Sequence, residues 1–155
     1  MNTTLNQLKF TRIYTLGKLA NTEGPKWDLQ PEGVNNTVRW NAGHVFVSME
    51  NFVLQIDPTY EPVRPDWFPF FMSGTSPASW EEAPPSEDDI LEELKNQPDR
   101  IIHFLEDKME QLLPKAMEIG DFHSMVDAES LLQFAIWHEG IHAGVIHVLN
   151  NVNCN

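Results

Sequence analysis

The sequence predicts an all-α protein, a four-helix bundle with a long aromatic and proline-rich loop between helices 2 and 3. Apolar residues recur at helical spacing in four segments, at about residues 4–20, 34–56, 86–116 and 127–150. Alternating patterns typical of strands are absent. The chain has 155 residues, the size of one domain with its own core. We therefore expect residues 1–155 to form a single domain.

Turn and capping residues mark the ends of these segments. Residues 21–25, Asn-Thr-Glu-Gly-Pro, end the first segment. Ser86 can cap the third, where the acidic residues 87–89 suit the positive end of a helix dipole. Pro98 should kink or restart that helix. Asp127 is a candidate cap for the fourth segment.

Residues 57–85 form the long loop, and they are rich in proline, phenylalanine and tryptophan. A loop of this length is usually functional or disordered, and its aromatic content argues against disorder. Two interpretations remain open. The loop is either a lid over one end of the bundle, with Trp67 as a candidate substrate-binding residue, or a cover for the core.

The charge of the chain excludes some classes of partner. It carries 23 acidic and 10 basic residues, a formal net charge of −13, and the basic residues do not cluster. Binding to nucleic acid depends mainly on Lys and Arg at phosphates. We therefore expect neither a nucleic acid nor an anionic membrane as a partner.

Cysteine usage and the N-terminus indicate the compartment. The single cysteine, Cys154, excludes an internal disulfide and a CxxC motif. Residues 1–4, Met-Asn-Thr-Thr, lack the basic and apolar regions of a signal peptide, and no apolar run approaches a membrane span. These features predict a cytoplasmic protein.

Three of the six histidines are predicted to point into the bundle. At 100° per residue, His138 and His142 fall within the apolar stripe of the fourth segment, one turn apart. His44 lies opposite Arg39 and Glu50, which mark the water side of the second segment. The remaining histidines fail this test: His103 and His147 fall on charged faces, and His123 falls in a loop.

Inward histidines need partners, since a buried polar group without one costs roughly 1–3 kcal/mol. One divalent metal ion would serve all three, because an i, i+4 pair presents two imidazole nitrogens to one point and a neighbouring helix adds a third. Three protein ligands are the number found in catalytic sites with an open position. The alternative is that each histidine forms an ordinary hydrogen bond in the core.

Neutral polar residues share the inward face of His44. Asn41, Ser48 and Asn51 lie on that face. A polar stripe inside a bundle indicates a lined cavity, so these three are candidate substrate-binding residues.

Residues 138–142, HEGIH, also spell H-E-x-x-H, the zinc-peptidase motif in which the glutamate is the general base. The extended metzincin motif would need Gly at position 145 and His at position 148, where the chain has Val145 and Val148. No acidic residue follows His142 to act as a downstream ligand. The peptidase interpretation is therefore the weaker one.

Two stretches resemble a known family. Residues 30–44 read QPEGVNNTVRWNAGH and residues 138–146 read HEGIHAGVI. They resemble the DinB-like metalloprotein family, whose members are four-helix bundles with one metal-binding histidine on helix 2 and an H-x-x-x-H pair on the last helix. The resemblance maps those ligands onto His44, His138 and His142.

The resemblance implies a function for the site. Characterised relatives include thiol-dependent S-transferases, such as those that use bacillithiol, and a mycothiol-dependent isomerase. We therefore expect a divalent metal ion (Zn, Ni, Fe or Cu) and a low-molecular-weight thiol as cofactors, and a small-molecule substrate. Glu139 is a candidate catalytic residue that could take a proton.

Two further functions stay open. The chain could be a metal-dependent small-molecule hydrolase with Glu139 as general base, or a non-catalytic metal-binding stress protein. The sequence also leaves open whether the chain forms a homodimer.

Overall fold

The structure, a computed structural model, describes residues 2–152 and confirms a mostly helical fold. The long helices of the bundle are α1 (Thr3–Ala20), α2 (Val38–Ile56), α4 (Glu87–Leu105) and α5 (Ala128–Asn151). A short helix, α3 (Phe68–Phe71), lies in the long loop, together with two of the three single 3-10 turns. The predicted caps are present: Ser86 accepts from the amide of Asp89, and Asp127 from that of Ser130.

The prediction of helix over residues 86–116 is wrong beyond Leu105. Strand β1 (Leu112–Ile119) instead pairs antiparallel with β2 (His123–Asp127), with Met117 opposite Met125. Pro114 disfavours helix in this segment because it lacks an amide hydrogen, and Gly120, with a φ of 51°, forms the turn. Most of β1 is exposed, so the strand has no alternating burial from which the sequence could have predicted it.

The long helices pack as two parallel pairs, α1 with α5 and α2 with α4. Helix α1 runs parallel to α5, as contacts from Thr4 to Glu129 and from Arg12 to Glu139 show. Helix α2 lies against α5 in the opposite direction, with Asn41 beside His142 and Phe52 against Phe134. His138 and His142, on α5, therefore face His44 on α2.

A buried polar network joins α1, α4 and α5 through Arg12, which is 1% exposed. Its Nε and Nη2 donate to the two carboxylate oxygens of Glu139 at 2.8 and 3.0 Å. Its Nη1 donates to the carbonyl of Leu94 at 2.8 Å. That carbonyl is available because Pro98, four residues later, has no amide hydrogen to donate to it. Pro98 thus lies within one continuous helix, and the predicted restart of α4 is wrong.

The long loop packs against the bundle as core. Trp67 and Phe71 are almost fully buried and belong to the apolar cluster formed with α2, α4 and α5. Trp67 lies edge-on to Phe46 and Phe71, and the guanidinium of Arg64 lies over its ring. This environment favours the cover interpretation of the loop over the lid.

Within residues 2–152, the structure contains no helix with the length and hydropathy that crossing a bilayer requires.

Candidate metal centre

The structure brings together the three histidines predicted to point inward. One ring nitrogen from each of His44, His138 and His142 lies within 4.8 Å of the others. The Nε2 atoms of His44 and His138 are 3.2 Å apart. Two nitrogen ligands of a tetrahedral Zn²⁺ lie about 3.3 Å apart, given Zn–N distances of about 2.0–2.1 Å. The spacing of His44 and His138 matches that geometry, and the third nitrogen, from His142, lies within 4.8 Å of both.

A backbone carbonyl orients His44. Its Nδ1 lies 2.6 Å from the carbonyl oxygen of Phe71, the last residue of α3. Because a carbonyl only accepts, Nδ1 carries the proton in the neutral ring and Nε2 presents its lone pair to the other histidines. A backbone carbonyl on the far nitrogen is a common second partner of metal-binding histidines.

Helix α3 reaches His44 only because residue 43 is glycine. A Cβ placed on Gly43 would lie 2.5 Å from the ring of Phe71. The absence of a side chain there lets α3 approach α2 closely enough for the Phe71 carbonyl to contact His44.

Asn41 orients His142 in the same way. Its Oδ1 lies 2.8 Å from Nδ1 of His142, while its Nδ2 donates to the carbonyl of Thr37 at 2.8 Å and to Oδ1 of Asn36 at 2.9 Å. The Thr37 carbonyl fixes which end of the amide is nitrogen, so Oδ1 accepts the proton of His142 Nδ1. Nε2 of His142 is therefore also free to bind a metal ion.

Aromatic rings flank the histidines on two sides. Trp40 stacks on His44, with ring centroids 4.5 Å apart and planes inclined by 12°. Phe52 lies edge-on to His138 at 5.6 Å. His44 is buried, whereas His138 and His142 are half-buried, so the part of the site that solvent contacts belongs to α5.

The surroundings keep all three imidazoles neutral. Burial lowers the pKa of His44, although the hydrogen bond to the Phe71 carbonyl opposes this effect. Burial and the neighbouring His44 lower the pKa of His138 to about 4, and Glu139 opposes them. Burial and the other two histidines lower the pKa of His142 to about 3. Neutral imidazole is the form that binds metal ions.

The predicted substrate-binding residues have different positions. Ser48 is buried, with Oγ 3.3 Å from Nε2 of His44, and Asn51 is half-buried one turn further along α2. The amide of Asn41 is occupied by His142 and backbone, which makes it a positioning residue for that ligand. Trp67 is a core residue that packs on Phe46 and Phe71, so we do not include it in the binding site.

Glu139 lies in the interior of the bundle, where α5 meets α1. It is 1% exposed, and its oxygens accept from Arg12 and from the hydroxyl of Thr15 at 2.9 Å. These partners belong to α1, on the other side of α5 from His44. The carboxylate predicted to be catalytic is thus part of the buried network that joins α5 to α1.

The histidines outside the cluster lie at the surface, as the helix faces indicated. His103 has a side chain that is 89% exposed, next to Glu106. His147 and His123 are also exposed, and His123 begins β2 instead of lying in a loop.

Sequence reasoning missed the two aromatic walls and the role of Phe71. Trp40 and Phe52 lie one and two turns from His44 on α2, so helical spacing could have included them. The contribution of Phe71 is a backbone carbonyl, which leaves no side-chain signal in the sequence.

The comparisons with known proteins agree with this architecture. No curated protein matches the chain. A family model described as the DinB superfamily matches residues 7–146, which include most of α1, all of α2 and the three clustered histidines. The match covers far more than half of the sequence, so the chain belongs to the DinB superfamily.

Proposed function

We propose that this chain binds one divalent metal ion through Nε2 of His44, His138 and His142 and uses the site for thiol transfer to a small electrophile. One observation carries the proposal: three neutral imidazole nitrogens converge within 4.8 Å, and two of the rings are held by oxygen acceptors on Nδ1. Ordinary core histidines would not need their second nitrogens directed at a common point. Zn²⁺, Ni²⁺ and Fe²⁺ all accept such ligands.

Three protein ligands leave a coordination position for another molecule, whereas a structural site normally has four protein ligands. A divalent ion held there would lower the pKa of a thiol that binds in that position. In the transfer, the thiol releases its proton to solvent and its sulfur bonds to the electrophilic carbon, while the leaving group departs with its electron pair. The chain would contribute the walls of Trp40 and Phe52 and the polar groups of Ser48 and Asn51.

The position of Glu139 favours thiol transfer over hydrolysis. A hydrolase of this design needs a base to take a proton from the attacking water. Both oxygens of Glu139 already accept hydrogen bonds from Arg12 and Thr15. An acidic thiol needs no such base, since it ionises before the attack.

Metal content tests the site itself. We expect His44→Ala, His138→Ala and His142→Ala each to abolish near-stoichiometric metal binding, measured by elemental analysis. His103→Ala and His147→Ala are the matched controls, and they should leave it intact. Zn²⁺ at 100 times its dissociation constant should stabilise the unsubstituted protein by about 2.7 kcal/mol, since the folded state alone holds the site.

A metal-free protein that gains no stability from Zn²⁺ or Ni²⁺, together with a His44→Ala variant that behaves like the unsubstituted chain, would contradict the metal site. Thiol consumption in the presence of an electrophilic chloroarene tests the transfer. Metal binding without thiol consumption for any low-molecular-weight thiol would instead support a non-catalytic metal-binding protein.

A further inference from the structure

Helices α1 and α5 share an exposed apolar face. Six large apolar side chains on it are between 45% and 69% exposed: Phe10, Ile13, Tyr14, Trp137, Ile141 and Val148. Together they expose on the order of 700 Å². A typical monomer exposes contiguous apolar patches of only about 300–600 Å², whereas each partner in a standard protein interface contributes about 800 Å². The face therefore has the area that a stable dimer needs.

The two rows of this face lie side by side. Helices α1 and α5 run parallel, and Arg12 pairs with Glu139 across their contact. The same offset along the chain places Phe10 and Trp137 at one level. Gln7 and Trp137 line a common cleft of about 350 Å³ between the two helices. The two apolar rows therefore border the line along which α1 and α5 meet.

Charge distinguishes this face from the rest of the molecule. The chain has a formal net charge of −13, yet α1 contains no acidic residue. Between Trp137 and Val148, the only acidic residue of α5 is Glu139, which is buried and paired with Arg12. Two copies of so acidic a chain repel each other over most of their surfaces. They could approach closely through a face that lacks acidic groups.

The shape of the face is also self-complementary. On α1 it presents the bulky Phe10 and Tyr14, whereas on α5 it includes Gly140 and Gly144. A Cβ at either glycine would meet no atom within 4 Å, so the backbone of α5 is open there. A two-fold axis parallel to the helices and between two copies keeps these levels, so Tyr14 of one copy would lie between Gly140 and Gly144 of the other, and Phe10 opposite Trp137, twice.

We propose that this face is a homodimer interface in which α1 of each copy packs against α5 of the other. The interface does not depend on a bound metal ion, and it goes beyond the proposed chemistry of the histidine site. Hydrophobic burial holds it together, so association persists at physiological salt.

Sedimentation velocity of the metal-free chain tests the interface. At a concentration of about 100 µM, we expect a dimer. Phe10→Lys should weaken association at least about tenfold, because it places an unpaired charge in the interface. The matched control is Leu112→Lys, which makes the same charge change at an exposed apolar residue of β1 outside the face and should leave the dimer intact.

A mixture of two variants tests the pairing of α1 with α5. Phe10→Lys and Trp137→Glu should each be monomeric alone, but together they should form a heterodimer, since the lysine of one then lies opposite the glutamate of the other. Both residues are exposed in the single chain, so each variant should remain folded and unfold cooperatively, with only the stabilisation that association gives to the dimer lost. The heterodimer would support the arrangement directly.

Three results would overturn the proposal. The unsubstituted chain could sediment as a monomer at that concentration, Leu112→Lys could disrupt the dimer as much as Phe10→Lys does, or the mixture could remain monomeric. A monomer that co-sediments with phosphatidylcholine vesicles would assign the face to lipid instead. None of these results bears on metal binding, so this proposal and the metal site can fail separately.

Discussion

At the scale of single residues, His138 and Glu139 show how neighbours on one helix take separate tasks. The ring of His138 faces α2 and contacts His44, whereas the carboxylate of Glu139 faces α1 and pairs with Arg12. Consecutive side chains on a helix point about 100° apart, so one residue meets the metal centre while the next meets the opposite partner helix.

Glu139→Gln should reduce stability much more than it changes the metal site. It leaves the buried guanidinium of Arg12 without a counter-ion, and breaking such a pair costs about 3–5 kcal/mol. Glutamine retains some of the hydrogen bonds, so we expect a loss of about 3 kcal/mol in urea unfolding. Metal content and any thiol transfer should persist in the folded fraction.

Glu129→Gln is the matched control, because Glu129 also accepts a hydrogen bond from α1, through Thr4, but pairs with no Lys or Arg side chain within residues 2–152. It should cost less than about 1 kcal/mol. A Glu139→Gln variant that stays as stable as this control but loses transfer activity by two or more orders of magnitude would instead identify Glu139 as a base.

The histidines of the metal centre and the neighbouring pair of Arg12 and Glu139 differ in how far the sequence could predict them. His44, His138 and His142 were predicted from helix faces, although Glu50, which was expected to mark the water side of α2, is buried and accepts from Gln97 and Arg100. Arg12 and Glu139 were not, because a charged residue in an apolar stripe looks like its solvent edge. Their pairing joins residues 127 positions apart, and helical periodicity contains no information about such partners.

At the scale of elements, the short helix α3 positions the metal centre through its backbone. The carbonyl of its last residue, Phe71, orients the ring of His44, and the side chain of Phe71 packs on the backbone of Gly43. The loop therefore contributes to the site by packing against α2, and its buried aromatic side chains, Trp67 and Phe71, stabilise that packing.

Gly43→Ala should disturb this fit. The added methyl group would lie 2.5 Å from the fully buried ring of Phe71, and overpacking of this kind costs about 1–3 kcal/mol. We also expect weaker metal binding, measured by competition with a chelator, because α3 must move away from His44. Alanine at Gly17 is the control: it meets no atom within 4 Å and should stabilise α1 by roughly 0.5–1 kcal/mol. Unchanged metal affinity in Gly43→Ala would contradict the role of α3.

Elements were predictable where local signals agree and not where they conflict. Helices α1, α4 and α5 begin within about two residues of the expected positions, because caps and periodicity coincide there. Residues 106–116 were assigned to the third helix because apolar residues recur there at helical spacing. Pro114, Gly120 and Asp121 gave the opposing signal of a break and a turn, and the structure follows that signal.

At the scale of the whole molecule, the buried histidines make the stability of the metal-free protein depend on pH. In the unfolded chain they titrate near an ordinary pKa of about 6.5. In the folded chain the pKa of His138 is lowered to about 4 and that of His142 to about 3. At pH values between the folded and the unfolded pKa, the unfolded state binds more protons than the folded state. The free energy of unfolding is therefore highest above pH about 6.5 and falls as the pH drops.

Urea unfolding in the presence of a chelator should show this loss between pH about 7 and pH about 5, before most carboxylates titrate. His142→Gln removes one of these groups and should flatten the dependence. Excess Zn²⁺ should steepen the loss, since protons then also compete for the metal ligands. A metal-free protein equally stable at both pH values would show that its imidazoles are not buried neutral.

The contact between α1 and α5 also sets an order of events during synthesis. Arg12 leaves the ribosome first, and its counter-ion Glu139 follows 127 residues later, at roughly 5–20 residues per second. For roughly 6–25 s the nascent chain therefore lacks the counter-ion of Arg12 and two of the three histidines. Until α5 is made, α1 has only part of its native surroundings, the contacts with α4 such as that of Arg12 with Leu94. The last helix thus completes the core and the candidate metal centre in a single step, and a chain interrupted before residue 138 can hold neither.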